Sequence, residues 1–306
     1  MGKSKQKMVF IFILILLHAQ SVLKAKDSIE ILADKHGIFD ETKGMVTFEK
    51  NVSARMLSTG AVLYSDRLEI YIDPISRKPN KAKAEGHVKL LEKNGEVSCD
   101  LAIFKKSSTS VELLGKVKVR TPQARLDGDR FHYNYETEQG RITALPKNQV
   151  TFTFNRRKTD TLMVTNLLSK SDLESSYLTI GRANEIFVYR KSKKSLLQGN
   201  VAVKDVHLHS ELFAERVELF FTPYDEIEEI IANSRFLLVQ NKRRSKADSA
   251  VFNYRTEIVT LKGNALVEEP GEGIVASSTI KMHIKESKGQ LQSDGKQPIR
   301  TLITID

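Results

Sequence analysis

Residues whose type and spacing could do chemistry are few in this chain, and two pairs stand out. Of the seven histidines, His18, His36, His87, His132, His207, His209 and His283, only His207 and His209 have ligand-like spacing. Residues i and i+2 of a strand share a face, so these imidazoles could hold half of a metal site. No third ligand stands out, and the competing reading is a pair of surface or partly buried histidines. Asp127 and Asp129 flank Gly128 at the same spacing, which would allow one carboxyl to act as acid and the other as base. The competing reading is a turn or a wet strand face, because the matching stretch later in the chain is Ala276-Ser277-Ser278, without acids. Cys99, the single cysteine, makes no internal disulfide. It sits in Glu96-Val97-Ser98-Cys99-Asp100-Leu101 with no neighbouring base or cation to activate it, as expected of a strand residue packed on a sheet. Asn51-Val52-Ser53 fits a glycosylation sequon, a pattern frequent by chance. The sequence contains no phosphate loop, nucleophile elbow or metal-binding cluster. No enzyme and no cofactor are expected.

The elements that carry these residues read as strands. From Lys246 to Leu291 the pattern gives strands at Ala247 to Tyr254, Glu257 to Leu261, Ala265 to Glu268 and Gly273 to Ile284. Val259 and Leu261 alternate with Thr260 and Lys262, and Ile280, Met282 and Ile284 alternate with Lys281, His283 and Lys285, the period of two of a half-wet sheet. Reversals are expected at Arg255-Thr256, Lys262-Gly263-Asn264, Pro270-Gly271 and Lys288-Gly289. Earlier strands are expected at Ile29 to Ala33, Ile38 to Asp40, Met45 to Phe48, Val52 to Met56 and Ala61 to Ile72, the last ended by Pro74. The only helical candidate is the short stretch Asp225 to Ile231. The fold class is all-β.

The meander occurs twice. Phe104 matches Phe252, Val111 matches Val259 and Gly115 matches Gly263 at one offset; after a one-residue slip Phe131, Tyr135 and Gly140 match Ile280, Ile284 and Gly289. Upstream, Gly44 to Phe48 resembles Gly199 to Val203, and Tyr64 to Tyr71 resembles Phe213 to Phe220. Agreement in residue type without identity is what a duplicated structural unit leaves. No Gly/Ser- or Pro-rich linker separates the copies.

The order of Gly-x-Val-x-[Val/Phe] starts, Ala-x-x-[Phe/Leu]-x-[Tyr/Phe] strands and [Leu/Val]-x-Gly-x-[Ala/Val]-x-[Val/Leu] hairpins, in roughly residues 28 to 145 and again in 178 to 295, resembles the LptA/OstA-like family of periplasmic lipopolysaccharide-transport proteins. The resemblance implies two consecutive OstA-like β-jelly rolls, at 26–158 and 159–306, stacked into one open groove. In that family an incompletely closed roll leaves its apolar interior open to the acyl chains of lipopolysaccharide. Here the lining would be Val46, Phe48, Leu68, Ile70, Val88, Leu90, Val117, Val119, Phe131, Tyr133, Tyr135, Val201, Val203, Val217, Leu219, Phe221, Ile280, Met282 and Ile284. The alternative for the same residues is an ordinary closed core. The resemblance further implies inner- and outer-membrane transport components as partners, and head-to-tail self-association through unpaired edges. The edge candidates are Ile29 and Ile31 within Ser28 to Ala33, and Leu302, Ile303 and Ile305 within Pro298 to Ile305. A periplasmic scaffold that binds only protein is the rival reading.

Localisation and charge fit that expectation. Lys3, Lys5 and Lys7, the apolar run Met8 to Leu17 and the small residues before Lys26 describe a secretory signal peptide over residues 1–25. The alternative is an uncleaved anchor, for which a run of this length falls short of the ~20 residues a spanning helix wants. Lys plus Arg number 48 against 38 Asp plus Glu, a formal +10. The excess clusters at Arg156-Arg157-Lys158, Lys191 to Lys194 and Lys242-Arg243-Arg244. These are solvated turns that discourage edge aggregation, or sites attractive to the phosphates of lipid A; a secreted chain meets no nucleic acid.

Overall fold

The computed structural model describes residues 28–35, 37–93, 95–122, 124–156, 177–206, 209–223, 227–283, 289–295 and 298–303. The chain divides between Pro146 and Lys147 into two compact units. Every regular element described is a strand, and the pairings are antiparallel. The expected signal peptide lies outside the described residues. So do Leu162 to Val164.

In the first unit β1 (Ile29–Leu32) and β2 (Gly37–Asp40) both lie along β3 (Met45–Met56). From β3 the sheet runs as a meander through β4 (Ala61–Ile72), β5 (Pro79–Glu92), β6 (Gly95–Lys105), β7 (Ser110–Arg120), β8 (Ala124–Asn134) and β9 (Gln139–Thr143). In the second unit β10 (Val150–Arg156) pairs with β11 (Tyr177–Ala183), and β11 and β12 (Glu185–Tyr189) both lie along β13 (Lys194–Asp205). The meander continues through β14 (Ser210–Phe221), β15 (Ile227–Gln240), β16 (Arg243–Asn253), β17 (Ile258–Glu269) and β18 (Gly273–His283). The last strand carries β19 (Gly289–Gln292) and β20 (Arg300–Ile303) along its free side. The part of the short helical candidate that is described, Ile227 to Ile231, opens β15: flanked by two long strands, it gains ladder bonds that an isolated turn of helix would lack.

The strands are long because the chain does not reverse where Gly-x-Val suggested it would. Lys262-Gly263-Asn264 lies inside β17, and Phe48 and Val52 belong to one strand, β3. At each such place two consecutive residues adopt positive φ: Lys50-Asn51, Gly86-His87, Gly115-Lys116, Gly199-Asn200, Ser234-Arg235 and Gly263-Asn264. The register steps there, with both residues facing one residue of the neighbouring strand. Glu49 pairs with Arg67 and Val52 with Ser65, which leaves Asp66 alone opposite Lys50 and Asn51. This is a bulge, which bends the strand and tightens its twist instead of ending it. The lone residue opposite is Asp66, Asp100, Asp129, Glu215, Asp248 or Ser278.

Acids beside the bends make side-chain hydrogen bonds there. The carboxylate of Asp34, beside Lys50, accepts from Asn51 Nδ2 at 2.7 Å; Asp66 is bonded to His87 Nδ1 at 2.8 Å; Asp248 accepts from Asn264 Nδ2 at 3.0 Å. Asp129 takes the backbone N–H of Leu145 at 2.7 Å. A Cβ added at Gly115 would run into the side chain of Asp100, and one at Gly86 into that of Asp66. The bends also correct one of the repeat matches. Gly199-Asn200-Val201 occupies the position of Lys50-Asn51-Val52, not of Gly44 to Val46, which lie at a turn and the start of β3. The match of Tyr64–Tyr71 to Phe213–Phe220 holds, since it aligns Asp66 with Glu215 opposite a bulge in each unit.

Candidate functional site

Each bend divides a unit's strands into two arms. In the second unit one arm holds 194–198, 216–221, 227–233, 249–253, 258–262 and 279–283; the other holds 201–205, 210–214, 236–240, 243–247, 265–269 and 273–277. On the unbulged strands the buried set shifts by one residue at the bend. β14 buries Ala214 and then Val217 and Leu219, and β6 buries Cys99 and then Ala102 and Phe104. The shift keeps one face of both arms turned inward after the bend. Ile230 from the first arm and Leu238 from the second line a common cleft, so the arms of this unit face one another across the interior. The cleft is lined by Val203, Leu212, Ile230, Leu238, Phe252 and Tyr254, with Asp205, Ser210 and Gln240 at its polar end.

The residues expected to line a groove fall on these inward faces. Leu68, Val88, Leu90, Val117, Val119, Phe131, Tyr133, Tyr135, Val201, Val203, Val217, Leu219 and Ile280 are buried, with 0% to 6% of their surface exposed. Val46, Phe48, Ile70, Phe221 and Met282 are half-buried, and Ile284 lies outside the described residues. Phe131, Tyr133 and Tyr135 form a run of ring contacts at centroid distances of 6.2 and 5.4 Å. Phe221 meets Phe154 at 5.9 Å. Sequence reasoning missed other inward residues, among them Val52, Leu63, Leu126, Phe152 and Phe236. Treating Gly-x-Val as a reversal broke the alternation that would have carried the pattern across each bend.

The candidate chemistry does not assemble. His207 lies outside the described residues, while His209 sits in the exposed turn before β14 with φ +47° and so is off the strand face that a ligand pair would need. Among the described residues no group of three or more His, Cys, Asp and Glu side chains could hold a metal. Asp127 is tied to Arg120 Nη2 at 2.6 Å, and Asp129 instead accepts the backbone N–H of Leu145 at 2.7 Å. Burial pushes the Cys99 thiol up to about 12, which keeps it from forming the reactive thiolate. In the basic clusters Lys194 pairs with Glu218, and Arg243 with Glu269 at 2.7 Å.

One acid is out of place among these apolar residues. Glu92 ends β5 on the inward side after Val88 and Leu90, and its Oε2 has no hydrogen-bond partner among the described residues. Burial alone pushes its pKa from 4.5 up to about 7. Between those values the folded chain keeps a proton that the unfolded chain has released, so stability falls as pH rises through that window. Melting temperatures across the same range should therefore decline in the wild type. They should flatten in Glu92→Gln, which has no proton to lose; equal slopes in both proteins would place the dependence elsewhere.

At the edges, Ile29 and Leu302 are exposed, Leu302 by 66%, and Ile31 is half-buried. Ile303 closes β20, and Ile305 lies outside the described residues.

The family described as LptA/(LptD N-terminal domain) LPS transport protein matches residues 30–139 and 182–288. Each match falls within one of the two units. Among solved structures the chain is similar to LptH, the LptA-homologous periplasmic component of the lipopolysaccharide transport device of Pseudomonas aeruginosa. That similarity is at 12% identity and a TM-score of 0.34, and covers 40% of this chain and 87% of that one. No curated protein matches the sequence.

Proposed function

The chain belongs to the LptA/(LptD N-terminal domain) LPS transport family, and from that membership we propose that it is a non-enzymatic periplasmic protein that shields the acyl chains of lipopolysaccharide between the arms of its two units. In this reading it bridges the inner- and outer-membrane transport components during export and outer-membrane assembly. The observation that carries the reading is the doubled apolar interior, built in each unit from the inward faces of bent strands and opening as a cleft in the second. Physical need supports it. Each CH₂ removed from water is worth about 0.8 kcal/mol, so an acyl chain of about twelve carbons exposed in transit would cost roughly 10 kcal/mol. With the arms parted, side chains such as Val117, Leu219 and Phe131 can replace water around such a chain by shape alone. Direction must then come from partners. Strand addition at β1 and β20, four residues each, is the proposed means of contact with those partners or with further copies of this chain.

Photo-crosslinking residues at Leu68, Phe131 and Leu219 test the proposal in cells. Adducts with lipopolysaccharide are expected at all three positions. Labelling of protein partners without glycolipid at any of them would favour a scaffold with a closed core.

A further inference from the structure

The cleft of the second unit is bridged at its polar end. Asp205 ends β13, where it pairs with Ser210 and Thr179, and so belongs to one arm. Tyr254 follows β16 at the far end of the other arm, its N–H bonded to the carbonyl of Glu228. Although 49 residues apart in sequence, Tyr254 Oη donates to Asp205 Oδ2 at 3.3 Å. Both residues line the cleft, and the Tyr254 ring is buried with its hydroxyl directed to the polar end beside Ser210 and Gln240. Val203, Leu212, Ile230, Leu238 and Phe252 lie behind this bond. A hydrocarbon chain reaching them from the polar end must part the two side chains.

We propose that the Tyr254–Asp205 hydrogen bond is a latch that holds the two arms of the second unit together, and that its opening admits an acyl chain sideways into the cleft. This rests on the acyl-binding reading above and adds to it a residue pair that sets the rate of loading. The chemistry suits a reversible closure. One bond between a phenol and a carboxylate is weak enough to open thermally, and both partners can be solvated once open.

The test uses the full chain with a photo-crosslinking residue at Leu212 and purified lipopolysaccharide, with the same probe at Leu68 of the first unit as control. Tyr254→Phe keeps the ring and removes the donor; Asp205→Ala removes the acceptor. Each should speed labelling at Leu212 about fivefold, the worth of one net hydrogen bond, and leave labelling at Leu68 unchanged. The double variant should be no faster than either single one, because the same bond is removed in each. Asp205→Asn, which keeps an acceptor, should remain close to the wild type. Wild-type rates in both single variants, or additive effects in the double, would overturn the latch while leaving the groove intact. A folded wild type that never labels at Leu212 would overturn the latch and acyl binding in this unit together.

Discussion

Gly115→Ala should destabilise the first unit by about 2–5 kcal/mol, while Gly60→Ala should cost only about 1–2 kcal/mol. The two glycines have nearly the same backbone, φ +77° and φ +74°, so the left-handed conformation penalises an added Cβ equally in both. They differ in what that Cβ meets. At Gly60 nothing lies within 4 Å, whereas at Gly115 it runs into the Cβ, carboxyl carbon and Oδ2 of Asp100 on the neighbouring strand. The excess at Gly115 therefore measures the packing of the bend. Asp100→Gly in the Gly115→Ala background removes the Cβ as well as the carboxylate and should recover much of that excess, giving a strongly non-additive pair in urea denaturation. Additive losses would mean that the acid and the bulge are independent. Such independence would be hard to reconcile with the recurrence of an acid opposite the bend at Asp66, Asp129, Glu215 and Asp248.

These bends mark the limit of what the sequence alone could convey. The all-β class, the duplication and most inward residues follow from local alternation, which survives wherever a strand stays straight, as along Val111 and Leu113 or Val217 and Leu219. A Gly with positive φ looks the same in a reversing turn as in a bulge, so Gly263-Asn264 reads locally as a hairpin. What distinguishes them is a residue on another strand, Asp248, which sits opposite that pair and hydrogen-bonds Asn264. Nothing in the window around Gly263 announces that partner. The same limit hid the cleft: Ile230 and Leu238 line it together only because β15 bends between them at Ser234 and Arg235. Asp127 and Asp129, conspicuous as a pair, have separate duties once the bend at Asp129 is known.

The bent geometry also decides how a carrier could be told from a closed core. Leu219 is 1% exposed, so the interior is packed against itself, and an acyl chain can occupy it only by moving the arms apart. Leu219→Ala should therefore cost about 2–5 kcal/mol in the absence of lipid, whichever reading holds. The readings separate when lipopolysaccharide is added. A ligand that binds only the folded state raises stability in proportion to the logarithm of its concentration over Kd. In a carrier the volume freed at position 219 becomes room for hydrocarbon, which lowers the work of parting the arms. The rise in melting temperature on adding lipopolysaccharide should then be larger in Leu219→Ala than in the wild type, and the two curves should converge as lipid increases. A sealed structural core has no such compensation: the same loss would persist at every lipid concentration, and the vacated volume would remain a cavity.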